Sequence, residues 1–546
     1  MSERASKLRR LNGFRRALPH VSASALSAIL AEVAAEGMPE LHSRRDLSAA
    51  TAELMNESTP YGPIAQTVDV ATTDGGTMRL LVAHPLALLW HAVRVARPFA
   101  NFVQARLSEH PASAVQPWRL VLYADEVVPG NQLSHDNRRK VWVVYYSFLE
   151  FGPAALAREE SWFCLMTKRS SEVAKVSGGM GQIYGKLVKL FHGNVHDIAT
   201  TGLVFNNTDG SVMRVFSRLA MFVQDGGAHK VTWHCKGDAG TKMCMLCRNL
   251  YSQKSEIVDE DGSNLLTCSL IHESDLDFAT DDDIRGSVRR LAAKHASEPA
   301  AVFAKWSQAI GFRHEPHSML LDPTLDTVVF PAKQFVHDWM HCIFVHGCFN
   351  TIAYLVLEAC LADGIRNVYE LLHNYVGEWV LPTRVGSPTL KEMFSKKRAT
   401  SSRKAKHLKC TASEGLSVYP MMAYFCRKVL LRAGRCVAVA TAFVELAGTV
   451  DLLAVVPLGL VTGNMLRGQV AKLLQACLDA GWAAYMHPKF HWLVHIPMHL
   501  ETFGTLPTCW VHERKHRPRR YTLTEPCSHV GYQSHIAVHR WTRPHG

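Results

Sequence analysis

Between residues 118 and 225 the chain spells out a strand pattern three times, then a helix, then a further strand, and the first and last strands run into an aspartate. WRLVLYADEV (118–127) is a short apolar run ending in acid. RRKVWVVYYSFLEFG (138–152) is dense in Val, Tyr and Phe, and SWFCLMTKRSS (161–171) is a third such run. β-Branched and aromatic residues suit the pleated, half-buried surface of a sheet. SEVAKVSGGMGQIYGKLVKLFHG (171–193) reads as a helix with Val176, Ile183 and Leu187 on one side, although its glycines weaken the pattern. VMRVFSRLAMFVQD (212–225) ends in a strand that delivers Asp225. Three strands, a helix and a further strand predict a mixed α/β sheet.

What flanks this stretch is different. Residues 1–115 look mixed and mostly helical, with Ala-rich segments such as SALSAILAEVAAEG, and carry no catalytic signal. After the polar stretch CKGDAGTKMCMLCRN come acidic segments (DEDGSN, ATDDDIRG). Long apolar helical runs follow: FVHDWMHCIFVHGCFNTIAYLVLEACL, NVYELLHNYVGEWVL and the 417–480 region. The expected organisation is therefore an N-terminal region (1–115), the first part of a sheet domain (116–235), a knuckle with an all-helical block (236–480) and a terminal segment (481–546). A chain of 546 residues with 47% hydrophobic and 20% charged residues can bury a sizeable core in more than one unit.

The net charge of +12 favours an anionic partner, most often nucleic acid. SKKRATSSRKAKHLK (395–409) reads as a basic, Ser-rich loop. Its Lys396, Lys397, Arg398, Arg403, Lys404 and Lys406 suit phosphate binding or a nuclear import signal. No apolar run is expected to span a bilayer. Cys436–Leu460 comes closest, and Glu445 and Asp451 interrupt it, so it reads as buried helix. The basic start, MSERASKLRRLNGFRR, lacks the apolar region of a secretory signal. Fourteen scattered cysteines suit a reducing compartment better than a disulfide framework.

Asp125 and Asp225 each close a strand, and strand-end carboxylates of one sheet can converge on hard divalent cations such as Mg²⁺. Strand-capping turn residues give the same pattern. Cys244 and Cys247, in CMLC, have the spacing of two zinc ligands within a short polar knuckle. Two more ligands have two sources. His491 and His495 lie four apart, with Pro488 suited to the first turn of their helix and Pro497 to its end. His337 and His341, in FVHDWMH, are a second pair at that spacing, and buried packing histidines are the alternative for either.

In order, the chain reads Asp125, Asp225, K-G…C-x-x-C, D-W-M-H (Asp338 to His341), P-K-F-H-x-x-x-H-x-P and W-V-H-E-R-K-H. This set resembles the RNase H-like DDE/D transposases of the CACTA (EnSpm) type, with Tnp2 and Plavaka families nearest, over roughly residues 118–516. The last segment also resembles the matching part of the vertebrate antigen-receptor recombinase. The resemblance implies an RNase H-like sheet interrupted by a helical insertion. It implies a zinc site of Cys244, Cys247, His491 and His495, and a catalytic trio of Asp125, Asp225 and Glu513 holding Mg²⁺ or Mn²⁺. His487 and His499 are then spare. The implied activity is cutting and joining of transposon ends and target duplex DNA in the nucleus, by an oligomer of this chain. Pro518, five residues past Glu513, breaks the helix expected there, and no separate DNA-binding domain is evident. An inactive or domesticated DNA-binding derivative is therefore the second expectation, and a helical scaffold with merely buried Cys and His the third.

Overall fold

The computed structural model describes residues 57–128, 140–193, 195–206, 210–251, 273–381 and 387–512, together with the helix α1 (Ala23–Glu36) and a few positions near it. The chain divides into two compact units, Met1–Asn56 and Glu57–Gly546. Residues 57–115, expected with the N-terminal region, thus belong to the same unit as the sheet.

That stretch opens with a hairpin that the helical reading missed: β1 (Ala65–Ala71) pairs antiparallel with β2 (Thr77–Ala83) around the TTDGG turn. Helices α2 (Pro85–Val95) and α3 (Arg97–Glu109) follow. They are fastened to the sheet by polar bonds: the Tyr146 hydroxyl donates to the Pro85 carbonyl at 2.9 Å, and Arg106 Nε to the Glu150 carbonyl at 2.6 Å.

The predicted strands form: β3 (Trp118–Val127), β4 (Val141–Phe148) and β5 (Phe163–Arg169). The predicted helix is α4 (Gly179–Phe191). A small hairpin of β6 (Leu203–Asn206) and β7 (Val212–Val215) precedes β8 (Ser217–Gln224). Gly181 in α4 is required by close approach, since a Cβ there would sit 2.2 Å from His234 Nε2. The glycine that weakens the helix pattern is what lets α4 pack.

Among the described residues five strands make the main sheet, in the order β5-β4-β3-β8-β9, where β9 is Phe335–His337. β3, β4 and β5 pair antiparallel, whereas β8 runs parallel to β3 and β9 parallel to β8. β4 is buried at every position, as a strand covered on both faces must be. The sheet is thus mixed, as expected, with one strand more than the sequence reading foresaw.

Between β8 and β9 lie the knuckle and two helices, α5 (Gly226–Thr232) and α6 (Asp281–Ser297), with α7 (Ala300–Ile310) after them. The capping box of Thr280 and Asp283 explains where α6 starts. The block after β9 is helical: α8 (Trp339–Phe344), α9 (Cys348–Ala362), α10 (Val368–Gly377), α11 (Lys396–Ala405), α12 (Ala412–Phe425), α13 (Val437–Val455), α14 (Gly463–Asp479) and α15 (Pro488–Phe503). Residues 396–405 are helix, not the expected loop, because Lys, Arg and Ala are good helix formers even in a polar run. Ala399 and Ser402 are its buried contacts.

Among the described residues two stretches reach the length and hydropathy of a membrane span, Trp339–Ala362 and Val437–Leu458. The first bends at Val345–Gly347 and is 78% buried over its most apolar window; the second is 50% buried.

Candidate functional site

Helix α15 carries Pro488 in its first turn, as the spacing predicts, but continues through Pro497 to Phe503. Burial of Leu500 and Phe503 sustains the last turn despite the hydrogen bond that the proline removes. The rings of His491 and His495 face one side of this helix, onto the knuckle. Cys244 Sγ lies 3.4 Å from His495 Nε2, and Cys247 Sγ lies 3.5 Å from His491 Nε2 and 3.6 Å from His495 Nε2. The two Nε2 atoms are 3.0 Å apart. A tetrahedral ion bonded at about 2.3 Å to sulfur and 2.0–2.1 Å to nitrogen places S and N about 3.5 Å apart and the two N about 3.3 Å apart. The four side chains are buried and their donor atoms all lie within 4.8 Å of one another. The cluster therefore has the donors and the spacing to hold a metal ion such as zinc.

The electrostatics agree. Burial opposes a charge on Cys244, yet the hydrogen bond from Cys247 and the neighbouring histidines outweigh it and hold that thiol well below its usual value. Cys247, which shares its proton with Cys244, is pushed up. Burial lowers His491 and so favours the neutral imidazole that a metal needs.

His337 and His341 do not form a helical pair. His337 is the last residue of β9, and α8 begins after Asp338. Its ring stacks on Trp492 (5.0 Å) and approaches His495 (5.5 Å), beside the Cys–His cluster. Burial lowers it to about 4. His499, expected to be spare, accepts the His337 backbone N–H at 3.3 Å and so buttresses the cluster from behind. His487 caps the start of α15, with its Nε2 3.2 Å from the Thr351 hydroxyl.

Asp338 and His341 belong to a second site. In β8 and β9, Phe222 pairs with Phe335, Val223 with Val336 and Gln224 with His337. FVQD and FVHD thus lie side by side in register, each ending in aspartate. On the other side of β8, Gln224 pairs with Ala124, the residue before Asp125. Asp125, Asp225 and Asp338 therefore occupy one row across three adjacent parallel strands, which run about 4.8 Å apart. Sequence reasoning missed this third acid; the near-repeat FVQD/FVHD is the signal that finds it.

Each carboxylate is held. Asp125 accepts from the Tyr123 hydroxyl (3.0 Å) and the Glu126 backbone N–H (2.7 Å). Asp225 accepts from the Ala228 N–H (2.5 Å) as the N-cap of α5. Asp338 caps α8 and lies 2.5 Å from His341 Nδ1. Burial works against charge on His341, but the Asp338 hydrogen bond and the charges of Asp338, Asp225 and Asp125 raise it to about 9. The Cys509 thiol, buried and hydrogen-bonded to Asp338, is pushed well up by burial and by the same three acids. Three residues on, His512 stacks on Tyr123 with ring centroids 3.5 Å apart. The next residue, Glu513, lies outside the described residues.

Asp225 and Asp338 line an open cleft whose other walls include Lys230, Asp238, His341, Val345 and Lys489. Lys230 is ion-paired with Asp238. Lys489 donates to the carbonyl oxygens of His341 (3.2 Å) and Val345.

Compared with known protein families and with curated protein sequences, the chain matches none.

Proposed function

We propose that this chain is a DNA transposase of the RNase H-like type, which cuts and joins phosphodiester bonds with Mg²⁺ or Mn²⁺. The observation that carries the reading is the row Asp125, Asp225 and Asp338 on three neighbouring strands, of which Asp225 and Asp338 line a cleft, separate from a buried Cys₂His₂ cluster. The strand order, three antiparallel strands followed by two that run parallel to the first, supports the RNase H-like assignment.

The row suits hard divalent ions in its oxygen ligands and in its negative charge, which acts jointly on His341. Bound there, such ions supply Lewis acidity to the attacking and leaving oxygens of a phosphodiester. The protein's part is position. Tyr123 and the Glu126 N–H fix one carboxylate, the first turn of α5 fixes the second, and protonated His341 fixes the third. Glu513, outside the described residues, is the further catalytic acid that this reading names. Cys244, Cys247, His491 and His495 would hold zinc with four protein ligands, a closed and structural arrangement that pins α15 to the knuckle. Duplex DNA is the partner, an oligomer on DNA the working form and the nucleus the compartment that this reading implies.

The test uses purified full-length protein, Mg²⁺ or Mn²⁺, and a supercoiled plasmid carrying the DNA that flanks its gene. Metal-dependent nicking and strand-transfer products are expected, and Asp125→Asn or Asp225→Asn should abolish both. Products that persist in those variants sink the reading. A zinc-loaded wild type that binds DNA and never cuts it is the inactive, DNA-binding derivative instead.

A further inference from the structure

Among the described residues, two groups bring three or more Cys, His or carboxylate ligand atoms within 4.8 Å of one another. One is the closed Cys–His cluster. The other is Asp338, His341 and Cys509, a mixed set of one carboxylate, one imidazole and one thiol. Its members come from two distant pieces of chain. Asp338 follows β9 and caps α8, accepting from the Met340 and His341 backbone N–H groups at 3.4 and 3.3 Å. His341 lies in the first turn of α8, with its Nδ1 2.5 Å from Asp338 Oδ2. Cys509 lies past the end of α15 and is fully buried.

The segment that carries Cys509 is anchored independently of Asp338. Leu506, Val511 and His512 are buried along with it. The His512 backbone N–H donates to the Cys509 carbonyl at 3.0 Å. The His512 ring stacks on Tyr123 and sits edge-on to Trp162 at 4.3 Å. Asp338 is fixed from the other side by the register of β8 with β9. Two separate anchors thus bring the three donors together. Asp338 and His341 both line the cleft, which gives an ion a way in and leaves one coordination position facing it. A shared proton now lies between His341 Nδ1 and Asp338 Oδ2. An ion in its place would hold those two atoms about 3.3 Å apart, which asks the His341 side chain to swing outward by less than about 1 Å.

We propose that Asp338, His341 and Cys509 form a second metal site, which takes a thiophilic divalent cation such as Zn²⁺ and thereby shuts off the acid row. The donors select the ion. Sulfur and imidazole suit zinc, whereas Mg²⁺ takes oxygen ligands and keeps several of its waters. Three protein ligands with one open position hold zinc within reach of solvent, unlike the four closed ligands of the Cys–His cluster. Loading releases one proton from the His341–Asp338 pair and one from the Cys509 thiol, since such donors bind metal deprotonated. Asp338 is the residue that two states share. It serves hard ions together with Asp125 and Asp225, or zinc together with His341 and Cys509. Zinc draws that carboxylate out of the row and sets a positive charge beside the place of the hard ions, where like charges repel. The shut-off rests on the transposase reading; the metal site itself does not.

The test starts from full-length protein with zinc in the closed cluster alone, dialysed against a small excess of Zn²⁺, with bound metal read by elemental analysis. Wild type should gain a second equivalent. Cys509→Ser and His341→Gln should each gain none and keep the first, and keeping the first shows that the variant is folded. With Cd²⁺ in place of zinc, the ultraviolet sulfur-to-metal band should be about a third weaker in Cys509→Ser, because two thiolates remain of three. In Mg²⁺-dependent plasmid nicking, added zinc should slow wild type at least about tenfold. The same zinc should leave the rate of Cys509→Ser at that variant's own zinc-free value. Wild type that gains no second equivalent overturns the site and leaves the transposase reading standing. A second equivalent that persists in both variants overturns it too, since the ion then sits elsewhere. Nicking that a second equivalent does not slow overturns the shut-off. A second equivalent that the variants lose, in a wild type that nicks no DNA with Mg²⁺ alone, supports the site and overturns the transposase reading together with the shut-off.

Discussion

His337 and Asp338 are neighbours in sequence, yet they serve two clusters built on opposite principles. His337 joins the Cys–His group, whose members are almost fully buried and made of sulfur and imidazole. Asp338 joins a row of carboxylates, two of which, Asp225 and Asp338, line an open cleft that the His337 ring also borders. One step at the end of β9 separates a closed site from an open one. The closed cluster has every donor aimed inward and no room for a substrate. The acid row has its carboxylates fixed by hydrogen bonds, and Asp225 and Asp338 also line the cleft. The first arrangement is suited to holding structure together and the second to acting on something that arrives.

The largest expected contrast comes from breaking the closed cluster. Wild-type protein should carry about one equivalent of zinc by elemental analysis, and Cys247→Ser or His491→Ala should lose it. Structural zinc contributes about 10–16 kcal/mol in small zinc-finger peptides, well above the roughly 0.5–3 kcal/mol of an ordinary substitution. These variants should therefore melt at least about 10 °C lower or fail to accumulate as folded protein. An unchanged melting curve would show the thiols and imidazoles to be mere packing.

Breaking the open row should do the reverse. Asp225→Asn should lose at least about a thousandfold in strand cleavage, since positioning divalent ions supplies several kcal/mol and each 1.36 kcal/mol is tenfold. Its zinc content and melting temperature should stay at wild-type values or rise, because a like charge has been removed from a crowded row. Loss of fold in this variant would erase the contrast between the two sites.

A third effect is one of pH. His341 in the folded, metal-free protein is raised to about 9, against about 6.5 for an unfolded histidine. The folded state therefore holds the proton more tightly. The stability this supplies is complete below about pH 6.5 and is lost as pH climbs through about 9, roughly 3 kcal/mol in all. Denaturant titrations of metal-free protein at pH 6 and pH 9.5 should show that decline, and His341→Gln should flatten it. The smallest effect belongs to the exposed Lys396 and Lys397 of α11. Replacing either with Ala should change stability by no more than about 0.5 kcal/mol and the salt slope for DNA by about 1.

The two halves of the closed cluster were legible in the sequence because their rule is local: cysteines three apart in a tight knuckle, or histidines four apart on a helix, point the same way, while the spacing alone left two histidine pairs open. The strands β3, β4, β5 and β8 were legible for the same reason. β9 was not. FVHDWMHCIF carries no glycine or proline to mark a boundary, and only pairing with β8 makes its first three residues a strand rather than the start of α8. With β9 unseen, Asp338 read as part of a helix and His337 as half of a metal pair. The β1–β2 hairpin was missed although AQTVDVA alternates and TTDGG marks the turn, a pattern outweighed by the Ala-rich context around it. Cys509 and His512 gave no signal, since a buried thiol and a stacked imidazole are recognisable only through the partners that the fold brings to them.

Cys247 and His491 are 244 residues apart, and that gap has a meaning in time. Synthesis at about 5–20 residues per second leaves the knuckle waiting roughly 10–50 s for its second pair of ligands. Throughout that interval the thiols have no imidazoles to meet, and α15 does not yet exist to hold the helical block against the knuckle. A nascent chain that stops short of α15 keeps its sheet strands and all three acids of the row, Asp125, Asp225 and Asp338, but nothing clamps them. Closure of the Cys–His cluster is thus a checkpoint on translation: only a chain read through α15 can lock.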